Sequence, residues 1–328
     1  VPASTMGKGS SPLQVSKSIT IDTETGEIKG LRTAGTGLIS GIYFAKVSQS
    51  NGLTLGVFSF TKLSVIEGVI LSGIGKNALV MISSGTCDIL GTIDVSGKNS
   101  PNVSASASTS AEGVGRCGGG NGGKGSNRDY KGGTSGSGLG AGLIGNPGSH
   151  YGNGGGGGGL GAGGGGGYGG TGKIGQNGTD ISGGAPGSDG YGKSGGQGGN
   201  PYGTLLCTPL HGGSGGGGGI SDTDRNPDGS GSGGGAGGGA IQISCLGNLT
   251  IGAKGVLNVS GGTAGNAYGG GGGGGAGGSI LLEAPNISNV GQILAHGGRG
   301  GHGNLSWIPS GRTGGLRGGI DLLRGGGG

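Results

Sequence analysis

Glycine supplies 104 of the 328 residues, charged residues 11% and aromatic residues 3%, and the formal net charge is +5. A collagen triple helix, which needs Gly at every third position, is excluded: tract 154–159, followed by Leu160, Gly161 and Ala162, keeps no such register. A hydrophobic fraction of 29% excludes a large globular core, the lack of Lys/Arg runs interleaved with aromatics excludes a nucleic-acid partner, and no apolar run reaches the ~18 residues of a membrane-spanning helix.

Taken in chain order, residues 1–17 read as a polar N-terminal arm. The opening Val1-Pro2-Ala3, without Met, is what a mature product leaves after signal cleavage. Residues 18–99 read as a β-strand, solenoid-like region. Its first segments, 18–22, 26–31, 38–47 and 53–61, are β-branched or aromatic, partly alternating, and punctuated by Gly, Asn and Ser. None shows helical periodicity, and the rest of the chain carries too much Gly for a helix. Residues 100–239 form one continuous glycine-rich insertion, and 240–328 return to strand repeats separated by further glycine tracts.

An internal repeat organises the strands. Segments 63–73, 87–97, 249–261 and 287–297 each read as a short strand, a corner carrying one Gly, a second alternating strand, and a Gly. A third strand belongs to the same unit at 78–82, 240–244, 279–283 and 319–323. Ile241 and Ile280 lie 39 residues apart, and Ile280 and Ile320 lie 40 apart. A constant unit with variable spacing is how a β-solenoid tolerates insertions, which leave at one corner and rejoin the same stack. The predicted fold is therefore all-β: a parallel β-solenoid-like strand stack with an inward ladder of Ile, Val and Leu.

Gly in an ordered segment costs roughly 0.5–1 kcal/mol relative to Ala. An ordered insertion must recover that cost through backbone hydrogen bonds between closely spaced chains. Extended polyglycine-II-like runs packed side by side satisfy this, because a missing Cβ lets neighbours approach. The tracts leave and re-enter at equivalent corners, so they are expected to lie beside one another. Tyr151, Tyr168 and Tyr191 fall within the insertion and are candidate contact residues on its surface.

Four cysteines without metal-ligand spacing suggest two disulfides, with three pairings open. Position along the chain favours Cys117–Cys207 within the glycine-rich region and Cys87–Cys245 tying its flanks. Sequons at Asn102, Asn177, Asn248, Asn258, Asn286 and Asn304 are candidate N-glycosylation sites. Asp222, Asp224 and Asp228 sit in the one acid-rich stretch and are a weak Ca²⁺ candidate, without the Gly and bidentate Glu of an EF-hand loop. His150, His211, His296 and His302 lie outside any metal-binding spacing. The G-x-G-x-x-G strings follow from the glycine content and precede no helix that could bind phosphate. No catalytic constellation or cofactor site emerges, and a non-enzymatic role is expected.

Segment 269–278 running into 279–283, then Asn286-Ile287-Ser288 and 291–298, resembles glycine-rich surface proteins of bacteria and the glycine-rich tips of long-tail-fibre adhesins of T-even-like phages. The likeness extends from about Gly73 to the C-terminus. It implies a β-structured attachment region followed by a sandwich of polyglycine-II helices, with end loops that contact a host receptor. The combined expectation is an extracellular, cell-surface or virion structural protein. It would be a subunit of a filament, sheath or appendage, assembling with copies of itself through its ends or its arm. The alternative is an adhesin that binds a cell-surface receptor or glycan through its glycine-rich loops.

Overall fold

The computed structural model describes residues 7–104, 110–127, 132–144, 198–199, 202–203, 207–220, 230–267 and 270–301. Among these residues the protein is all-β, without a helix. The strands come in groups of three, and each group is one turn of the chain. The first turn holds β1 (Leu13–Val15), β2 (Ile19–Asp22) and β5 (Thr54–Phe60), with β3 (Gly37–Ile39) and β4 (Ile42–Ser48) inserted before β5. The second holds β6 (Leu63–Val65), β7 (Ile70–Ile74) and β8 (Ala78–Ser83). The third holds β9 (Cys87–Ile89), β10 (Thr92–Asp94) and β11 (Ala240–Cys245). The fourth holds β12 (Leu249–Ile251), β13 (Val256–Asn258) and β14 (Ser279–Glu283), and the fifth holds β15 (Ile287–Asn289) and β16 (Gln292–Leu294).

Equivalent strands stack into three sheets, ordered β1-β6-β9-β12-β15, β2-β7-β10-β13-β16 and β3-β4-β5-β8-β11-β14. Every pairing is parallel except β3–β4 and β4–β5. The register stacks like on like. Leu13, Leu63, Cys87 and Leu249 form one buried row. Leu71, Ile93 and Leu257 form a second, and Phe58, Met81 and Ile243 a third. A strand alone buries one face against nothing, and stacking turns creates the interior. The one-Gly corners have a steric cause. A Cβ on Gly91 would meet the carbonyls of Ile66 and Val69, and one on Gly291 those of Gly252 and Gly255.

The described parts of the glycine tracts are joined by backbone hydrogen bonds at three-residue intervals. Gly213, Gly216 and Gly219 donate to Gly238, Gly235 and Ser232 at 2.7, 2.9 and 2.8 Å. Those acceptors in turn donate to Ala276, Gly273 and Gly270 at 2.9, 2.9 and 3.0 Å. On another side Gly120, Gly123 and Ser126 donate to Gly213, Gly216 and Gly219 at 2.8, 2.8 and 3.0 Å. A β-strand would address its two neighbours with a period of two. Here the period is three, and one tract bonds to neighbours on several sides. We expect Gly275→Ala, whose Cβ would meet the Ala236 carbonyl, to cost about 3 kcal/mol by overpacking. Gly68→Ala, strained only by a φ of +78° in open space, should cost about 1–2 kcal/mol. Urea unfolding of the two variants measures the difference.

Three sequence expectations are corrected. The arm assigned to 1–17 contains β1, whose Leu13 and Val15 are fully buried and pair with Leu63 and Val65. Segment 26–31 is no strand: Gly26 and Gly30 sit at φ +77° and +78°, folding it back so that Ile28 makes only isolated bridges to Ile21 and Arg32. Segment 38–47 is two strands, because Ser40 and Gly41 both take positive φ, 50° and 76°, the requirement of a two-residue hairpin turn.

Candidate interaction surface

The two ends of the stack differ. At the first turn, residues 27–29 run back along β2, with Asp22 N–H donating to Glu27 and Lys29 N–H donating to Thr20 at 2.8 and 3.0 Å. The β3–β4 hairpin covers the edge of β5. Arg32, 2% exposed, lies beneath this cover. Its Nε donates to the Ile42 carbonyl at 3.0 Å, one terminal nitrogen to Gly26 and Thr33 at 2.5 and 3.0 Å, and the other to Gly35 and Gly37, both at 2.9 Å. The guanidinium also lies 5.6 Å from the Phe44 ring centre. Nothing in the sequence around Arg32 marked it: its role follows from the carbonyls that the turn gathers around it.

At the fifth turn no such cover exists among the described residues. All three residues of β15 are exposed, and Ile287 and Val290 show 46% and 69% of their surface. Ile280, Leu282 and Ile293 pack on the core but are incompletely buried. Nothing described pairs with the outer edges of β14, β15 or β16. These strands hold one charged side chain, Glu283, whose Oε2 accepts from Ser244 Oγ at 2.6 Å and Gln242 Nε2 at 2.9 Å. An apolar strand edge without Lys or Pro is the kind that accepts another strand.

The cysteines divide. Cys87, opening the third turn in β9, and Cys245, closing it in β11, form a disulfide across 158 residues of sequence. The second expected bridge, Cys117–Cys207, is not formed: both are buried thiols. The physical reason is the third sheet. Cys117 belongs to the interior cluster with Leu79 and Ile243, whereas Cys207 packs with Val57, Val80 and Leu210 on the opposite face. Burial pushes the Cys117 thiol far above its ordinary range, so it is an inert core residue.

That outer face is buried too, and residues 207–211 help to cover it. Gln49 clasps Leu210 at both ends, its Nε2 donating to the carbonyl at 3.0 Å and its Oε1 accepting from the amide at 2.7 Å. Ser279 Oγ donates to the His211 carbonyl. Tyr202 donates to the Gly212 carbonyl at 2.6 Å and accepts from Ser214 Oγ at 2.8 Å, and burial raises its phenol to about 12. His211 stacks edge-on against Tyr202 at 5.8 Å, with Asn51 Nδ2 3.4 Å from its Nε2 and its Nδ1 buried without a hydrogen-bond partner. Burial lowers its pKa. The folded state therefore resists a proton that the unfolded chain accepts below about pH 6.5. Stability is full above that pH and falls as the pH drops towards the folded pKa, below which it levels off. Urea midpoints should decline between pH 7 and pH 5 more steeply in the native protein than in His211→Asn, and equal slopes would refute the assignment.

Of the sequons, Asn102 is exposed and its Oδ1 accepts from Asn266 N–H at 2.9 Å. Asn248 and Asn286 stack on adjacent turns, Asn286 Nδ2 donating to Asn248 Oδ1 at 3.2 Å. Asn258 is half-buried, and its Nδ2, the atom a glycan would modify, donates to Asp94 at 3.0 Å. Asn177 and Asn304, the Ca²⁺ candidates Asp222, Asp224 and Asp228, and the contact candidates Tyr151, Tyr168 and Tyr191 lie outside the described residues, as do His150 and His302. The structure therefore brings together none of the Ca²⁺ or tyrosine candidates. Among the described residues no cluster of three or more His, Cys, Asp or Glu could hold a metal, and no helix is long and apolar enough to cross a membrane. No family model, curated protein or solved structure matches this chain.

Proposed function

We propose that this protein is a non-enzymatic extracellular structural component, a subunit of a filament, sheath or surface appendage that joins its assembly through the fifth-turn end of the strand stack. In this reading the stack is a β-solenoid. Its glycine insertion is a bundle of polyglycine-II-like runs leaving and rejoining at the corner between the second and third sheets. The observation that carries the proposal is the inequality of the two ends: hairpin, return strand and Arg32 close the first turn, while β14, β15 and β16 offer apolar edges. A capped end cannot accept a strand and an open one can, so contact is expected at one end and not both. The three-residue bonding period supports the bundle, since each chain in such an array addresses different neighbours with successive residues.

Electron microscopy and light scattering on the purified protein test this. Assemblies that form with rising concentration, and that are lost in Ile287→Lys combined with Val290→Lys, are the expected result. Discrete monomers at every concentration, with binding partners absent from its native surroundings, would overturn the reading.

A further inference from the structure

The first four turns deliver a strand to each of the three sheets, but the fifth, as described, delivers β15 and β16 and none to the third sheet. That leaves β14 as an edge, with Ile280 and Leu282 incompletely covered. The chain beyond β16 has already set off as the fourth turn did. Val259, Gly261 and Ala264 donate to Leu294, His296 and Arg299 at 2.7, 2.7 and 2.9 Å. The outgoing leg of the fifth turn is therefore parallel to that of the fourth, at a constant offset of 35 residues (259 to 294, 261 to 296, 264 to 299). In the fourth turn the chain then comes back along 270–278 and enters the third sheet at Ser279. Described residues stop at Gly301, on the outgoing leg, with 27 residues still to follow (328 − 301).

We propose that the open edge of β14 is the docking site for residues 319–323 of the same chain, which add in parallel and complete the fifth turn. The register is set by the row itself. β8, β11 and β14 align Leu79, Ile241 and Ile280, then Met81, Ile243 and Leu282, on the core face. Continuing the 39- and 40-residue spacings places Ile320 beside Ile280 and Leu322 beside Leu282, both apolar as the core face requires. Asp321 then falls beside Leu281 and Gln242 on the outer face, a row that already admits a polar residue. The glycine-dense approach through 313–319 is what the tight return leg needs, as 270–278 is for the fourth turn. With this strand in place the three sheets end level. The inference concerns β14 and stands apart from the assembly reading, which also engages β15 and β16.

Adjacent parallel strands hold aligned Cα atoms about 4.8 Å apart, within the range a disulfide spans. Full-length Leu281→Cys with Asp321→Cys, mildly oxidised and mapped by peptide mass, should yield an intrachain 281–321 bridge, while Leu281→Cys with Leu322→Cys should not. Independently, Ile320→Asp with Leu322→Asp should speed amide exchange across β14 at least tenfold and leave β8 unchanged. Unaltered exchange at β14 overturns the proposal, as does a 281–321 link found only between two chains, which would assign the strand to a second copy. An unbridged protein whose β14 exchange is also unaltered leaves no role for the segment at this edge.

Discussion

Replacing both Cys87 and Cys245 with Ser should destabilise the protein by up to about 5 kcal/mol, the chain-entropy value for a closed loop of this length. The bridge spans 158 residues and ties the first strand of the third turn to the last. Everything between β10 and β11, the insertion included, lies inside that loop. Without the bridge, the unfolded chain must close the third turn across the whole insertion on side-chain packing alone. Both sulfurs lie in the core cluster, so reductant should act slowly on the native protein and rapidly once urea opens the stack. Urea unfolding of the Ser variant, beside native protein with and without reductant, measures the effect. A loss under 1 kcal/mol would mean that the unfolded insertion already holds the two flanks together. In either outcome Cys117 and Cys207 serve as internal controls, since their substitution by Ser removes no cross-link.

Arg32→Ala should cost about 3–5 kcal/mol, the range for stripping the partner from a buried charged network. Five carbonyl oxygens, of Gly26, Thr33, Gly35, Gly37 and Ile42, receive the guanidinium. Deleting it leaves them facing a cavity, and each buried unsatisfied acceptor is costly. Arg32→Lys should recover only part of the loss, because an ammonium directs three donors from one point and cannot reach acceptors spread around a planar fork. Amide exchange offers a second readout: protection in β3 and β4 should fall first, while β9 to β12 stay protected. If Arg32→Ala unfolds at the native urea midpoint, the first turn is closed by Ile28, Ile42 and Phe44 without help from the charge.

Much of the stack was legible from local pattern. The segments at 78–82, 240–244 and 279–283 alternate apolar residues and recur near 39 residues, and they are β8, β11 and β14. The corner glycines at 91, 255 and 291 stood out because each sits between two short alternating runs. The same local logic failed at 26–31 and 38–47. There the deciding feature is a pair of left-handed residues: Gly26 with Gly30, and Ser40 with Gly41. Ser-Gly between apolar residues is a hairpin signal, but it was outweighed by the continuous apolar run around it. Leu13 and Val15 were obscured by the polar residues on either side, although Leu13-Gln14-Val15 carries the alternation of its partner Leu63-Ser64-Val65.

What the sequence determined by itself is the set of strands that face inward and the spacing at which they return, because alternation and glycine corners are properties of a few consecutive residues. It also favoured the Cys87–Cys245 bridge, since those cysteines occupy the first and last strands of one turn. Only the tertiary structure decided that Cys117 and Cys207 lie on opposite faces of the third sheet, that Arg32 closes one end, and that the fifth turn presents open edges. It likewise decided which glycine tract bonds to which. Each of these depends on which residues from distant parts of the chain arrive on the same side of a sheet, and a tract with no side chains carries nothing in its own composition to name its neighbour.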